Sequence, residues 1–139
     1  MGYKNPSKHC ITLLGSNANP NDSTTYYIGA VNAGWNTNAA YQRIYPGKKC
    51  TLREVHLHII TSTTGTNEPV TANVNVSGGA DTLLSNTLDL SATNAVVDVT
   101  NLNLSLNQTD YVLLNIVCPA WVNNPVGCYA CGYLVFDVD

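Results

Sequence analysis

Charged residues are scarce in this chain of 139 residues, which has six Lys and Arg against nine Asp and Glu and a formal net charge of −3. A protein that binds nucleic acid normally concentrates basic side chains to neutralise phosphates. Lys48 and Lys49 are the only adjacent basic pair, and they follow Gly47 in a predicted turn. We therefore expect no nucleic-acid partner. Asn, Thr and Ser supply the polar side chains instead, and these residues favour turns and strands over helices.

Long apolar runs are also missing. The apolar stretches have the length of strands, far below the roughly 20 residues that cross a bilayer, so we expect no membrane partner. Met1-Gly2-Tyr3-Lys4-Asn5-Pro6 has no apolar signal core, which predicts synthesis in a cytoplasm. An odd number of cysteines argues against a fully paired disulfide framework, and we expect reduced, partly buried thiols. The five are Cys10, Cys50, Cys118, Cys128 and Cys131.

Motifs of catalysis are absent as well. There is no Gly-x-Ser-x-Gly, no Gly-rich phosphate loop and no cysteine with a recognisable partner. The nine carboxylates are scattered along the chain, although a pair could still converge in space. We therefore predict that the protein is not an enzyme, has no catalytic residues and needs no cofactor.

Two short motifs contain residue types that bind metals. His56 and His58 are two positions apart, so a strand places both imidazoles on one face. Cys128 and Cys131 have the spacing of half a zinc knuckle, and the four residues together could form a Cys₂His₂ site. In a strand, however, the two cysteines face opposite sides, and the histidines alternate with apolar residues. We therefore expect the histidines to belong to a polar face and predict no metal site.

Alternation of apolar and polar residues is the main pattern that is present. It is clearest at 51–61 and 70–77, and no window has the three-to-four spacing that a helix requires. Strand-like runs are found at 26–31, 40–45, 51–61, 70–77, 82–90, 96–106, 111–117 and 128–138, after a short apolar piece at 10–14.

About eight strands separated by short turns predict an all-β fold, an antiparallel β-sandwich of jelly-roll type over residues 26–139. An immunoglobulin-like sandwich ranks second, because the chain has no Cys/Trp/Cys arrangement. Residues 1–25, with their turn-rich Asn/Pro segment, are predicted to form an N-terminal arm. The predicted core includes Val55, Leu57, Ile59, Val74, Leu113 and Val135.

Five apolar residues are candidates for a contact with a partner. Ile11, Leu13 and Leu14 give the predicted arm an apolar surface that could dock on a neighbour. Trp35 and Trp121 lie in Asn-rich loops, where a tryptophan can stack on a sugar ring or anchor a protein interface. The alternative is that each tryptophan closes one end of the sandwich, and the sequence favours neither reading.

Several runs resemble small jelly-roll virion proteins of tailed bacteriophages, which occur as head decoration proteins and fibre-tip domains. The resemblance covers about residues 26 to 138. It is carried, in the same order, by Gly65-Thr66-Asn67-Glu68, Val70-Thr71-Ala72-Asn73-Val74-Asn75-Val76, Asp81-Thr82-Leu83-Leu84, Asp110-Tyr111-Val112-Leu113-Leu114 and Pro119-Ala120-Trp121-Val122-Asn123-Asn124-Pro125. The closing Gly132-Tyr133-Leu134-Val135-Phe136 is similar in a generic way to the last strand of trimeric C1q/TNF-like domains. The five cysteines and the arm depart from the pattern.

The resemblance implies a homotrimer on the surface of a capsid, made in the host cytoplasm. The short chain and its initial Met favour a free-standing decoration (cement) protein, which binds the major capsid protein or another virion protein, over the end of a long fibre. The alternative function is a receptor- or carbohydrate-binding module of a phage fibre or tail. A metal-dependent or hydrolytic enzyme is the third hypothesis.

Overall fold

Two antiparallel β-sheets pack face to face and contain nearly all of the regular structure. The computed structural model describes residues 7–17, 19–30, 34–63 and 65–139. The described strands are β1 (Ser7–Asn17), β2 (Thr24–Ile28), β3 (Cys50–Thr63), β4 (Pro69–Val76), β5 (Thr82–Asp89), β6 (Asn94–Val99), β7 (Leu104–Leu106), β8 (Val112–Cys118) and β9 (Val126–Val138). The predicted all-β sandwich is confirmed.

The strand order is that of a jelly roll. The first sheet has the order β1-β9-β3-β6, with the short β7 also paired to β3, and the second sheet has the order β2-β8-β4-β5. All of these pairs are antiparallel. Every step along the chain crosses from one described sheet to the other, except those from β4 to β5 and from β6 to β7. The chain therefore wraps around one core.

The core lies between the two sheets and is mainly aliphatic, with Phe136 as its largest fully buried side chain. Four of the predicted core residues belong to it: Val55, Leu57, Ile59 and Val74.

Leu113 and Val135 are buried, at 5% and 6% exposure, but they lie outside this core cluster. Each is next to a core residue in its strand: Leu114 follows Leu113, and Leu134 precedes Val135. Successive strand residues point to opposite faces, so Leu113 and Val135 lie on the outer faces of their sheets.

The segment predicted as an N-terminal arm is built into the first sheet. β1 pairs with β9 from Ser7 to Asn17, Leu13 is fully buried, and Ile11 packs against the core. The next strand already begins at Thr24, so residue 25 does not separate an arm from a sandwich. The reason is the alternation around Leu13, which gives this edge strand an inward apolar face. Residues 1–6 of the predicted arm lie outside the described residues.

Two predicted strands have a different structure. The run at 40–45 is a short 3-10 helix (Ala39–Gln42), in which the Asn38 side chain accepts a hydrogen bond from the backbone N–H of Ala40 at 3.0 Å. This cap stabilises the helical turn relative to the extended backbone of a strand. The run at 96–106 divides into β6 and β7, where Leu102 donates its N–H to the carbonyl of Arg53 at the β-bulge of β3. Within the described ranges, no helix has the length and hydropathy to span a membrane.

Candidate functional site

The outer face of the first sheet carries the side chains that alternate with the buried ones. On β3, Val55, Leu57 and Ile59 are at most 1% exposed, so the residues between and after them project outward. These outward residues are His56, His58 and Ile60. The register places Tyr133, Cys131 and Tyr129 of β9 opposite them on one side, and Asp98, Val96 and Asn94 of β6 on the other.

His56 is the centre of a hydrogen-bonded cluster on this face. Its Nδ1 lies 2.7 Å from Oδ1 of Asp98 and its Nε2 lies 3.0 Å from Oε2 of Glu54. The ring also stacks on Tyr133, with 4.4 Å between centroids and 24° between planes. Both ring nitrogens therefore face a carboxylate oxygen. We call Glu54, His56, Asp98 and Tyr133 the His56 cluster.

The charge state of His56 follows from these contacts. Partial burial of the ring by itself lowers the pKa of His56, because it disfavours the charged form. The hydrogen bonds to Asp98 and Glu54, and the negative charges of both carboxylates, outweigh burial and raise the pKa above its ordinary value. The positive charge of His56 is thus stabilised by folding.

Gly132 sets the distance between the two central strands at the cluster. It pairs with Leu57, and a Cβ added to it would overlap the carbonyl oxygen of His56 and lie about 3.0 Å from the Cα of Leu57. Only glycine allows β9 to approach β3 this closely. The next residue, Tyr133, is thereby held over the His56 ring.

His58 and Cys131 are direct cross-strand neighbours on the same face. Nε2 of His58 lies 2.7 Å from Oδ1 of Asn94. The Cys131 thiol, the His58 imidazole and the Asn94 amide therefore lie side by side on the adjacent strands β9, β3 and β6. A nucleophilic cysteine also needs a hydrogen bond between sulfur and imidazole. Among the described residues, no such bond joins Cys131 to His58 or His56, and the trio lacks the geometry of an activated thiol.

The four residues considered as metal ligands do not meet. Cys128 faces the core, where its sulfur lies 3.6 Å from Oγ1 of Thr61, while Cys131 is on the outer face. The described part of the chain contains no group of three or more His, Cys, Asp or Glu placed to hold a metal ion. Burial raises the pKa of Cys118 to about 12 and also raises the pKa of Cys128, so both thiols stay protonated.

Exposed apolar side chains surround the His56 cluster. Ile60, Val96, Tyr129 and Tyr133 are 42%, 52%, 39% and 44% exposed. The register pairs Ile60 with Tyr129 and places Val96 opposite His58 and Tyr133 opposite His56, so all four lie on this face. We call these four residues the apolar strip. An open cavity of about 220 Å³ lies on the same face, and its lining includes His56, His58, Val96, Asp98, Cys131 and Tyr133. Exposed apolar side chains grouped on one face of a sheet are typical of an interaction site.

Four of the five candidate interface residues are built into the fold. Leu13 is fully buried and Ile11 is partly buried against the core. Trp35 is 6% exposed and packs on Tyr26 with 6.0 Å between ring centroids. Trp121 is 9% exposed and donates its indole N–H to the carbonyl of Pro69 at 2.9 Å. These four side chains stabilise the fold of their own chain, and the side chain of Leu14 lies outside the described residues.

Glu68 and Asp89 are acidic residues in direct contact, because Oδ1 of Asp89 accepts the backbone N–H of Glu68 at 2.9 Å. Glu68 is fully buried, its Oε1 accepts the N–H of Gly65 at 3.0 Å, and its Oε2 has no partner among the described residues. Burial, followed by the charge of Asp89, raises the pKa of Glu68. The hydroxyl of Ser91 lowers the pKa of Asp89, which also accepts two backbone N–H groups. Because Glu68 is closed to solvent, the pair does not form an accessible acid and base.

Glu68→Gln should stabilise the protein by about 1 kcal/mol or more at neutral pH, because a buried carboxylate with only one hydrogen-bonded oxygen costs more than a neutral amide. The pKa of Glu68 is higher in the folded than in the unfolded chain, so ionisation of Glu68 lowers the stability as the pH rises from the unfolded pKa to the folded pKa. The gain should therefore shrink near pH 4, where the protonated carboxyl group of Glu68 and the amide of the variant are both neutral. Urea unfolding at several pH values measures this, and a gain that is independent of pH would contradict it.

The outer face of the second sheet has a different character. Oδ1 of Asp81 accepts hydrogen bonds from the amides of Asn75 at 2.8 Å and Asn115 at 3.0 Å, and Asn73 donates to Asn115 at 3.1 Å. Every one of these asparagines is less than a tenth exposed, so the network fixes the sheet rather than offering free polar groups.

An exposed aromatic cluster lies at one end of this second sheet. The Arg43 guanidinium sits 4.5 Å above the ring of Tyr111, and Tyr45 lies 5.5 Å from the same ring. Tyr45 and Tyr41 are 54% and 67% exposed. Among the described residues, no salt bridge occupies Arg43. We call Arg43, Tyr45 and Tyr111 the tyrosine–arginine cluster.

Sequence reasoning found the shared face of His56 and His58 but missed their surroundings. Asp98 is 42 residues away from His56 in the chain, and only the pairing of β3 with β6 brings it to the imidazole. The available signal was the alternation in β6, where Ala95 and Val97 are buried and Val96 and Asp98 are exposed.

Two exposed surfaces are candidates for binding: the apolar strip beside the His56 cluster on the first sheet, and the tyrosine–arginine cluster at one end of the second sheet. Neither combines a nucleophile with a base in hydrogen-bond contact among the described residues. No protein-family model, curated protein or solved structure matches this chain significantly.

Proposed function

We propose that this protein is a structural component of a virus particle, a decoration protein that forms a homotrimer and binds the outside of a phage head. The observation that carries the proposal is the apolar strip on the outer face of the first sheet, which a lone chain leaves in water. The resemblance to small jelly-roll virion proteins supports the same conclusion. A jelly roll with few charges also suits a rigid particle component.

The partner proposed for the apolar strip is a second copy of this chain. The strip combines an exposed ring, Tyr129, with an open cavity of about 220 Å³ beside Val96 and Tyr133 on the same face. In a cyclic assembly, one part of the surface meets a different part of the next copy. An aromatic side chain of one copy can thus enter the cavity of its neighbour, and tyrosine is a residue enriched at such contacts.

Val96→Glu should break the trimer, because it places a charge in the centre of the proposed contact. Leu83→Glu is the matched control: Leu83 is 53% exposed, against 52% for Val96, but it belongs to β5 of the second sheet. Sedimentation velocity at micromolar concentration measures both variants and the unmodified protein. A monomeric unmodified protein, or equal effects of the two substitutions, would rule out this face as the trimer contact.

Attachment to the capsid needs a surface other than the side chains of Ile11 and Leu13, because both are committed to the fold of their own chain. Removal of residues 1–19 would delete β1 and expose the edge of β9. Binding of the purified protein to empty capsids of the virus that encodes it tests this role directly. A decoration protein binds and raises the melting temperature of the capsid, whereas failure to bind would exclude the role.

The tyrosine–arginine cluster favours a second candidate function, a receptor- or carbohydrate-binding module. Exposed rings such as Tyr45 can stack on the apolar face of a sugar, and a stacked guanidinium such as Arg43 can bind a carboxylate. A glycan array probed with the unmodified protein and with Tyr45→Ala tests this function. Binding that Tyr45→Ala abolishes would favour it over decoration.

A further inference from the structure

The His56 cluster lies within the surface proposed for self-association. We propose that assembly of this protein is linked to protonation of His56: copies associate tightly while the imidazole carries its second proton and separate when that proton is lost. This inference rests on the proposed function, because it takes a second copy of the chain as the partner on this face.

The geometry of the cluster requires the protonated ring. An ionised carboxylate only accepts hydrogen bonds, and a neutral imidazole has a single N–H to donate. With Asp98 at 2.7 Å from one ring nitrogen and Glu54 at 3.0 Å from the other, a neutral ring would set a lone pair against one carboxylate oxygen. The imidazolium donates to both, so the observed contacts fit the charged form.

Assembly raises the energetic cost of negative charge in the His56 cluster. The Glu54, His56 and Asp98 side chains carry one net negative charge together when His56 is protonated and two when it is not. In the single chain the Asp98 and Glu54 side chains are 62% and 29% exposed, so water screens them. A partner that covers this face removes the water, and the clusters of neighbouring copies approach one another. An unneutralised carboxylate buried in this way costs far more than one that is paired with an imidazolium.

Other ionisable groups lie near His56, and none of them bridges two carboxylates among the described residues. They are His58 on β3, Cys131, Tyr133 and Asp137 on β9, and Arg53 at the bulge of β3. Asp137 accepts a hydrogen bond from Nε of Arg53 at 2.9 Å, and His58 contacts the neutral amide of Asn94. In the part of the chain that the structure describes, His56 alone bridges two carboxylates. The proton linkage is therefore assigned to this residue.

The direction of the pH dependence follows from linkage. Assembly favours the protonated form, so association is strongest at low pH and weakens as the pH rises through the raised pKa of His56. The association constant should fall by up to about tenfold per pH unit for each imidazole that takes up a proton on assembly.

Sedimentation velocity of the full chain from about pH 5.5 to about pH 9, with a thiol reductant present, measures the linkage. The unmodified protein should dissociate as the pH rises. His56→Gln should associate weakly at every pH and lose the slope. Asp98→Asn, which removes one carboxylate and keeps the shape, should stay associated at the alkaline end. His58→Gln, on the same strand and face, should keep the slope even where its affinity differs.

The outcomes separate this inference from the function on which it rests. An oligomer whose association constant does not change with pH, or a His56→Gln variant that keeps the full slope, overturns the linkage and leaves self-association intact. A protein that is monomeric over the whole pH range overturns both. A slope that disappears equally in His56→Gln and His58→Gln also overturns the assignment to His56.

Discussion

Gly132→Ala should destabilise the fold by about 3 kcal/mol or more, because the added methyl group meets backbone atoms that cannot rotate away. Its Cβ would overlap the carbonyl oxygen of His56 and touch the Cα of Leu57, and both belong to the strand that pairs with β9. Relief requires the two central strands of the first sheet to move apart. That movement would also lift Tyr133 from the His56 ring. Urea unfolding of the purified variant measures the loss.

Gly79→Ala is the control for this substitution. Gly79 lies in the turn after β4, where an added Cβ meets one backbone oxygen, that of Val76, at 3.1 Å. A turn can adjust by a few tenths of an ångström, whereas a strand between two paired neighbours cannot. We expect a loss below about 1 kcal/mol for Gly79→Ala. Equal losses for both variants would show that the close approach of β9 to β3 is not the cause.

Leu114→Ala should cost about 2–5 kcal/mol, through lost burial and the cavity left between the sheets. Leu114 is fully buried in the core cluster. Its neighbour Leu113 is 5% exposed but points to the outer face of the second sheet, where neighbouring side chains and water can fill the space. Leu113→Ala should therefore cost no more than about half as much. Chemical denaturation of the two variants compares them, and equal losses would contradict the assignment of faces.

Periodicity was sufficient to predict the strands that form the centre of the fold. In β3 and β4 a residue faces either the core or the outside. The alternation of Val55, Leu57 and Ile59 with His56 and His58 predicts the face of each side chain from the local sequence alone. The sandwich follows because such strands must cover their apolar faces with another layer. The same logic correctly placed Cys128 and Cys131 on opposite faces.

Features that depend on which strands pair could not be predicted in this way. The contact of His56 with Asp98 exists because β6 pairs with β3, and no local pattern states that pairing. Burial of Leu113 could be predicted from its apolar neighbours, but its face could not, because Val112–Cys118 is apolar on both sides with Asn115 as the sole exception. The 3-10 helix at Ala39–Gln42 depends on a single Asn38 cap within a segment of strand-like composition.

The position of β9 in the first sheet has a consequence for synthesis. β9 is the last strand of the chain, yet it lies between β1 and β3 and pairs with both over most of its length. While a ribosome is still making the chain, β1 and β3 have no central strand between them, so the first sheet cannot close before Val126–Val138 has emerged. Closure of this sheet therefore follows the synthesis of all the other described strands. Because its pairings join distant parts of the sequence, it belongs to the slow class that folds in about milliseconds to seconds.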